Sequence, residues 1–124
     1  MKLPLVHSQS LGKLGEETAT TYLVKQGYRI IQRNFKARYG ELDIICVKDD
    51  TLVVVEVKTR IGEEFGKPEE SVTPWKLREV VKTAQYYKLL HEELPESMRI
   101  DVIGIQFDDT EAPIYFNHIQ NVTM

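Results

Sequence analysis

The run LVVVEVK, from Leu52 to Lys58, constrains this chain more than any other stretch. Its consecutive valines make both faces of an extended segment apolar, as in a strand buried inside a sheet. Glu56 and Lys58 break that pattern, because an unpartnered charge on a buried strand is costly. A second apolar run just upstream, GELDIICVK, carries Glu41 and Asp43 in the same anomalous way. The two runs are joined by the turn residues Asp49 and Asp50.

That turn fixes a register. With Asp49 and Asp50 at its tip, Lys48 faces Thr51, Val47 faces Leu52, and continuing the antiparallel ladder brings Asp43 opposite Glu56 and Glu41 opposite Lys58. Side chains alternate along a strand, so Glu56 and Lys58 share one face while Val53, Val55 and Val57 take the other. Directly opposed residues have Cβ atoms about 4.5–5.5 Å apart, close enough for Asp43 and Glu56 to bind one ion. Carboxylates that near each other repel unless a proton or a cation intervenes. Hard oxygen donors favour Mg²⁺ or Mn²⁺ over zinc. Such an ion acidifies a bound water and neutralises charge on a phosphoryl oxygen, and Lys58 is placed to position that water or to stabilise the developing negative charge.

The rest of the chain supplies layers for this hairpin. After a cap at Ser8 or Ser10, Leu11, Leu14, Thr18, Ala19, Tyr22 and Leu23 recur at helical spacing, and Gly27 is placed to stop the helix. Strands are expected over Tyr28–Phe35, Leu42–Val47 and Leu52–Thr59, forming one antiparallel meander. The segment RIGEEFGKPEESVT reads as a surface loop. Thr73 and Pro74 then open a second helix, with Leu77, Val80, Val81, Ala84 and Tyr87 on its apolar face and Pro95 closing the region beyond. Ile100–Phe107 reads as an internal strand and Ile114–Ile119 as a last, edge strand. The resulting order is αβββαββ, an α/β fold whose helices cover the sheet.

Composition narrows the function class. The 124 residues suit one domain, 1–124, and 42% hydrophobic with 28% charged residues describes an ordinary soluble globular chain. The single cysteine, Cys46, excludes an intrachain disulfide and a thiolate zinc cluster and fits a reducing cytoplasm. MKLPLVHSQS is too short and too interrupted for a secretory signal, and no run approaches the roughly 18 apolar residues of a membrane span. A net charge of -3 argues against coating nucleic acid through bulk positive charge. The charge is uneven, however: KQGYRIIQRNFKARYG, ending at Gly40, holds Lys25, Arg29, Arg33, Lys36 and Arg38 and no acid. Beside a phosphodiester site, Arg33, Lys36 and Arg38 are placed to contact phosphates, and Arg60 either does the same or pairs with an acid in the following loop.

Asp43 followed by Glu56, Val57 and Lys58 resembles the D...ExK pattern of the PD-(D/E)XK nucleases. LGKLGEETATTYL, GYRIIQRNF, GELDII, VVVEVKTR, VTPWKLREVV and RIDVIGI resemble the YraN family of predicted endonucleases almost from end to end. The resemblance implies a restriction-endonuclease-like αβββαβ core, a mixed central sheet flanked by helices, similar to archaeal Holliday junction resolvases. It implies Asp43, Glu56 and Lys58 as the metal and catalytic set, Glu41 beside it, and the Val57 carbonyl as a further metal ligand. It also brings in Glu16 as a helix-borne carboxylate, which a helical projection places at the edge of the apolar face beside Gly12, Ala19 and Leu23, with Glu17 pointing away. Leu42 stands where the family's nominal proline would precede Asp43. The activity implied is a cytoplasmic Mg²⁺-dependent endodeoxyribonuclease acting on DNA, branched or junction DNA included, and the resolvase likeness implies a homodimer.

Simpler readings exist for several of these residues. A lone charge on a strand is ordinarily its solvated face; charges converging from two strands favour a site. Glu16 reads equally as a solvated carboxylate. Asp101, an acid in the apolar run RIDVIGI, is expected to pair with Arg99 or a helix lysine. His7, His91 and His118 show no ligand spacing, and Trp75, Tyr86 and Tyr87 read as packing groups. The alternative function is a non-cleaving nucleic-acid-binding or adaptor module on a nuclease fold.

Overall fold

A computed structural model describes residues 8–62 and 66–123. The first helix, α1 (Ser8–Lys25), ends where Gly27 takes φ 91° and the Tyr28 N–H reaches back to the Leu23 carbonyl. That left-handed stop needs glycine because a Cβ is penalised there. Three strands follow, β1 (Arg29–Ala37), β2 (Gly40–Lys48) and β3 (Thr51–Ile61), then the helix α2 (Pro74–Leu90) and the strands β4 (Ser97–Phe107) and β5 (Pro113–Ile119).

The sheet runs in sequence order, β1-β2-β3-β4-β5. Every neighbouring pair is antiparallel except β3 and β4, which α2 connects as a crossover. This is the αβββαβ core expected of restriction-endonuclease-like proteins, with β5 added at the edge. The turn between β2 and β3 has Asp49 at φ 48° and Asp50 at φ 62°, a two-residue hairpin loop that matches the strands' twist. Lys48 pairs with Thr51 and Val47 with Leu52, as the sequence predicts.

The helices cover opposite faces. Val53 and Val55 pack with Ala19, Leu23, Ile44, Ile103 and Ile105 on the α1 side, while Leu52 and Val54 pack with Ile45, Val80, Ala84 and Tyr87 on the α2 side. β3 is therefore buried on both faces, which explains its unbroken valines. Thr73 caps α2 by accepting the Lys76 N–H at 3.1 Å, ahead of Pro74 at the first turn. No helix among the described residues is long and apolar enough to cross a membrane.

Three expectations need correction. The segment from Arg60 to Thr73 is not simply a surface loop: β3 runs on to Ile61, and a 3₁₀ turn, Pro68–Ser71, buries Pro68. Glu69 of that turn accepts hydrogen bonds from Tyr115 and from Asn117 on β5. Residues 63–65, which hold two of the four acids of the loop after Arg60, lie outside the described residues, as does His7. Trp75 and Tyr86 are not packing groups but are 63% and 49% exposed; Tyr87 alone of the aromatics named on α2 is buried. The third correction concerns the ladder at Asp43, described next.

Candidate functional site

The β2–β3 ladder runs from Lys48 and Thr51 only to Ile44 and Val55. Beyond that point side chains replace main chain as partners. The Val57 N–H donates to Asp43 Oδ2 at 2.8 Å, and the Asp43 N–H points at Glu56 Oε2 at 3.4 Å. Asp43 and Glu56 are thus brought together as predicted, but Glu41 does not continue the ladder to Lys58; it pairs in register with Lys36 of β1.

A backbone feature in β1 accounts for the break. Asn34 takes φ 55°, a left-handed conformation that asparagine tolerates better than most residues. Ordinary alternation would put Arg33 and Phe35 on one face. Instead Arg33 reaches Glu17 on α1 at 2.7 Å, and Phe35 packs edge-on against Tyr87 on α2, with ring centroids 4.8 Å apart. The paired residues of β2 switch with them: Ile44, opposite Arg33, joins the α1 core, whereas Leu42, opposite Phe35, joins the α2 core. Asp43 sits at the switch, opposite Asn34.

Burial shapes the electrostatics. Glu56 is 4% exposed, and desolvation followed by the neighbouring Asp43 pushes its carboxyl up to about 8. Asp43 is pushed up to about 6, first by burial and then by Glu16 and Glu41, while the Val57 N–H works in the opposite direction. Two abutting buried carboxyls that each resist ionisation are a donor set suited to a divalent cation, which would remove the repulsion. Among the described residues no three His, Cys, Asp or Glu side chains cluster closely enough to hold a metal together. Any ion on the Asp43–Glu56 pair would therefore draw its other ligands from water, substrate oxygens or main chain such as the Val57 carbonyl.

Glu16 lies over this site from α1. It hydrogen-bonds Asn34, stands 3.7 Å from Arg33, and has its pKa raised chiefly by burial. Gly15 allows the approach: a Cβ there would collide with the Thr59 side chain of β3. Glu17 points away from the apolar face as expected, and from that exposed position it pairs with Arg33, so this arginine's charge is largely matched before any phosphate arrives. Lys36 and Arg38 are exposed at the hairpin end of β1, and Arg38 lies over the Tyr39 ring. Arg60 is partly buried, and its Nε has no hydrogen-bond partner among the described residues.

Sequence reasoning missed Lys76. From the first turn of α2 it favours ionisation of both Asp43 and Glu56, more strongly at Glu56 than Lys58 does. Nothing local in PWKLREV marks it, because the relationship exists only once α2 is laid on the sheet. The role of His118 was also missed. Its Nε2 lies 2.8 Å from the fully buried Asp101, and its Nδ1 lies 2.9 Å from the Tyr22 hydroxyl. Asp101 also accepts from Arg99, as expected, and from the Asn121 N–H.

The sequence profile described as "Uncharacterised protein family UPF0102" matches residues 15–105, from the glycine that seats α1 through most of β4. A UPF0102 protein of Syntrophomonas wolfei is 49% identical over 115 residues, covering 92% of this chain and 97% of its own length. One of Persephonella marina is 45% identical over 94 residues, covering 76% and 81%. One of Clostridium perfringens is 36% identical over 115 residues, covering 93% and 94%. With the match spanning the helix, the meander and the crossover that build the site, the chain belongs to the UPF0102 (YraN) family.

Proposed function

We propose that this protein is a metal-dependent endonuclease that hydrolyses phosphodiester bonds in DNA. One observation carries the reading: Asp43 and Glu56 abut at the point where the central β2–β3 ladder opens, both resisting ionisation. Asp43, Glu56 and the Val57 carbonyl would hold Mg²⁺ or Mn²⁺, which when bound supplies an acidified water and neutralises charge on the phosphate. Asp43 keeps its carboxylate aimed by accepting the Val57 N–H, so one oxygen is fixed and the other remains available. Lys58, on the same face of β3 as Glu56, orients the attacking water or meets charge developing on the phosphoryl oxygens. Glu41 and Glu16 add negative potential that strengthens the pull on a cation. Lys36, Arg38 and Arg60 contact backbone phosphates, with Arg33 joining only if it releases Glu17.

The test is cleavage of linear, nicked, flapped and four-way DNA in Mg²⁺ or Mn²⁺ by the parent protein and by folded Asp43→Ala and Lys58→Ala. Cleavage by the parent that both variants lose supports the reading. A second reading, a non-cleaving DNA-binding module, draws on the pairing of Arg33 with Glu17. It gains if the parent binds but never cuts and Glu56→Gln binds equally well.

A further inference from the structure

Beside the carboxylate pair, the tip of the β1–β2 hairpin and the outer part of α2 enclose a groove of about 600 Å³. Lys36, Arg38 and Tyr39 line it from the hairpin, and Glu79, Lys82 and Tyr86 from the helix. We propose that this groove receives unpaired bases, so that the preferred substrate has a single-stranded extension next to the duplex. This rests on the nuclease reading above and names its substrate class.

Position comes first. The hairpin wall ends at Gly40, which packs so closely on α2 that a Cβ would come within 2.7 Å of Thr83 Oγ1. Glu41 and Asp43 follow on β2, Asp43 three residues beyond Gly40 or about 10 Å along the strand, which puts the groove within reach of a nucleic-acid strand leaving the carboxylate pair. On the helix, Lys76 marks the site end and Tyr86 the far wall, ten residues on, or about 15 Å along the axis.

The lining chemistry selects the occupant. Tyr39 is 72% exposed, and Tyr86 keeps half its surface open although its ring lies 6.4 Å from that of Phe35. Exposed aromatic faces stack on bases only when those bases are free of a duplex stack. Lys36, Arg38 and Lys82 oppose the single acid Glu79, giving a positive lining in a chain whose net charge is -3. That combination of aromatic faces and cations tracks a single-stranded backbone with its bases turned inward. The volume falls within the range of pockets that hold compact organic groups, about 300–1,000 Å³.

Fluorescence anisotropy in EDTA tests this without cleavage. The probes are a blunt duplex, the same duplex with a single-stranded overhang, and the overhang made abasic. The wild-type protein is expected to bind the base-bearing overhang at least tenfold tighter than the other two, and Tyr39→Ala and Tyr86→Ala each to lose about tenfold on that probe alone. Tyr86→Phe, which keeps the ring, retains the preference, and melting curves confirm that the variants fold. Equal binding of all three probes overturns the proposal, as does a uniform loss across probes in the tyrosine variants. So does a concentration-dependent dimer abolished by Tyr86→Ala without any overhang preference, which would assign the groove to a second copy of the chain. Failure of the nuclease reading appears separately, as a parent protein that cuts no DNA in Mg²⁺ whichever probe it binds.

Discussion

Asp43 accepts the Val57 N–H through its side chain, at 2.8 Å, where the main-chain pairing of β2 with β3 has ended. The bond satisfies a donor that the opened ladder would leave without a partner, and it orients one catalytic candidate from the strand that carries the others. Asp43→Asn keeps an acceptor oxygen and removes the charge. It should fold with apo stability equal to or above that of the parent, whereas Asp43→Ala should lose about 1–3 kcal/mol by stranding the N–H. Urea denaturation in EDTA separates the two.

Stability without metal should fall as pH rises. Asp43 and Glu56 both have raised folded pKa values, about 6 and about 8; burial leads in each, reinforced by Glu16 and Glu41 at Asp43 and by Asp43 at Glu56. Folding therefore takes up protons, so the stability these groups lend is complete below the ordinary carboxyl range and is lost as pH rises through those values. Melting temperature in EDTA should decline from about pH 5 to about pH 8, and Glu56→Gln should flatten the decline. A melting temperature rising across that window would oppose this electrostatic picture.

Two glycines of α1 should respond oppositely to alanine. Among the described residues a Cβ at Gly12 meets nothing within 4 Å, so Gly12→Ala should gain about 0.5–1 kcal/mol from helix propensity. At Gly15 the same Cβ collides with the Thr59 side chain, and overpacking of about 1–3 kcal/mol should outweigh that gain. Chemical denaturation of both variants gives the signs.

Removing Asp101 should damage folding and spare the site. Its carboxylate is fully buried and serves Arg99, His118 and the Asn121 N–H, and these hydrogen bonds hold its pKa below the usual carboxylate value against the upward push of burial. Asp101→Ala should cost about 3–5 kcal/mol, since it leaves buried charge and donors without their partner. Its folded fraction should still bind Mg²⁺ as the parent does, which isothermal titration at low temperature would show.

The central part of this architecture was legible because it is local. The alternation and turn chemistry around Asp49 and Asp50 fixed which residues of β2 and β3 meet, and Thr73 with Pro74 announced α2. What escaped depends on distant parts of the chain. The face switch at Asn34 leaves no local pattern, so alternation alone carries the ladder past Ile44 and pairs Glu41 with Lys58. Lys76 and His118 gain their partners only through the docking of α2 and β5. Helical projection turns Glu17 away from the apolar face, where it lies, but does not show that Arg33 of the edge strand β1 reaches across to it.

The most direct test of the central claim is calorimetric titration of Mg²⁺ or Mn²⁺ into the parent protein and into Glu56→Gln near pH 8. The account predicts saturable binding to the parent, accompanied by release of protons from the Asp43–Glu56 pair, and its loss in the variant. Binding of equal affinity to both proteins, or none to a folded parent, would contradict it.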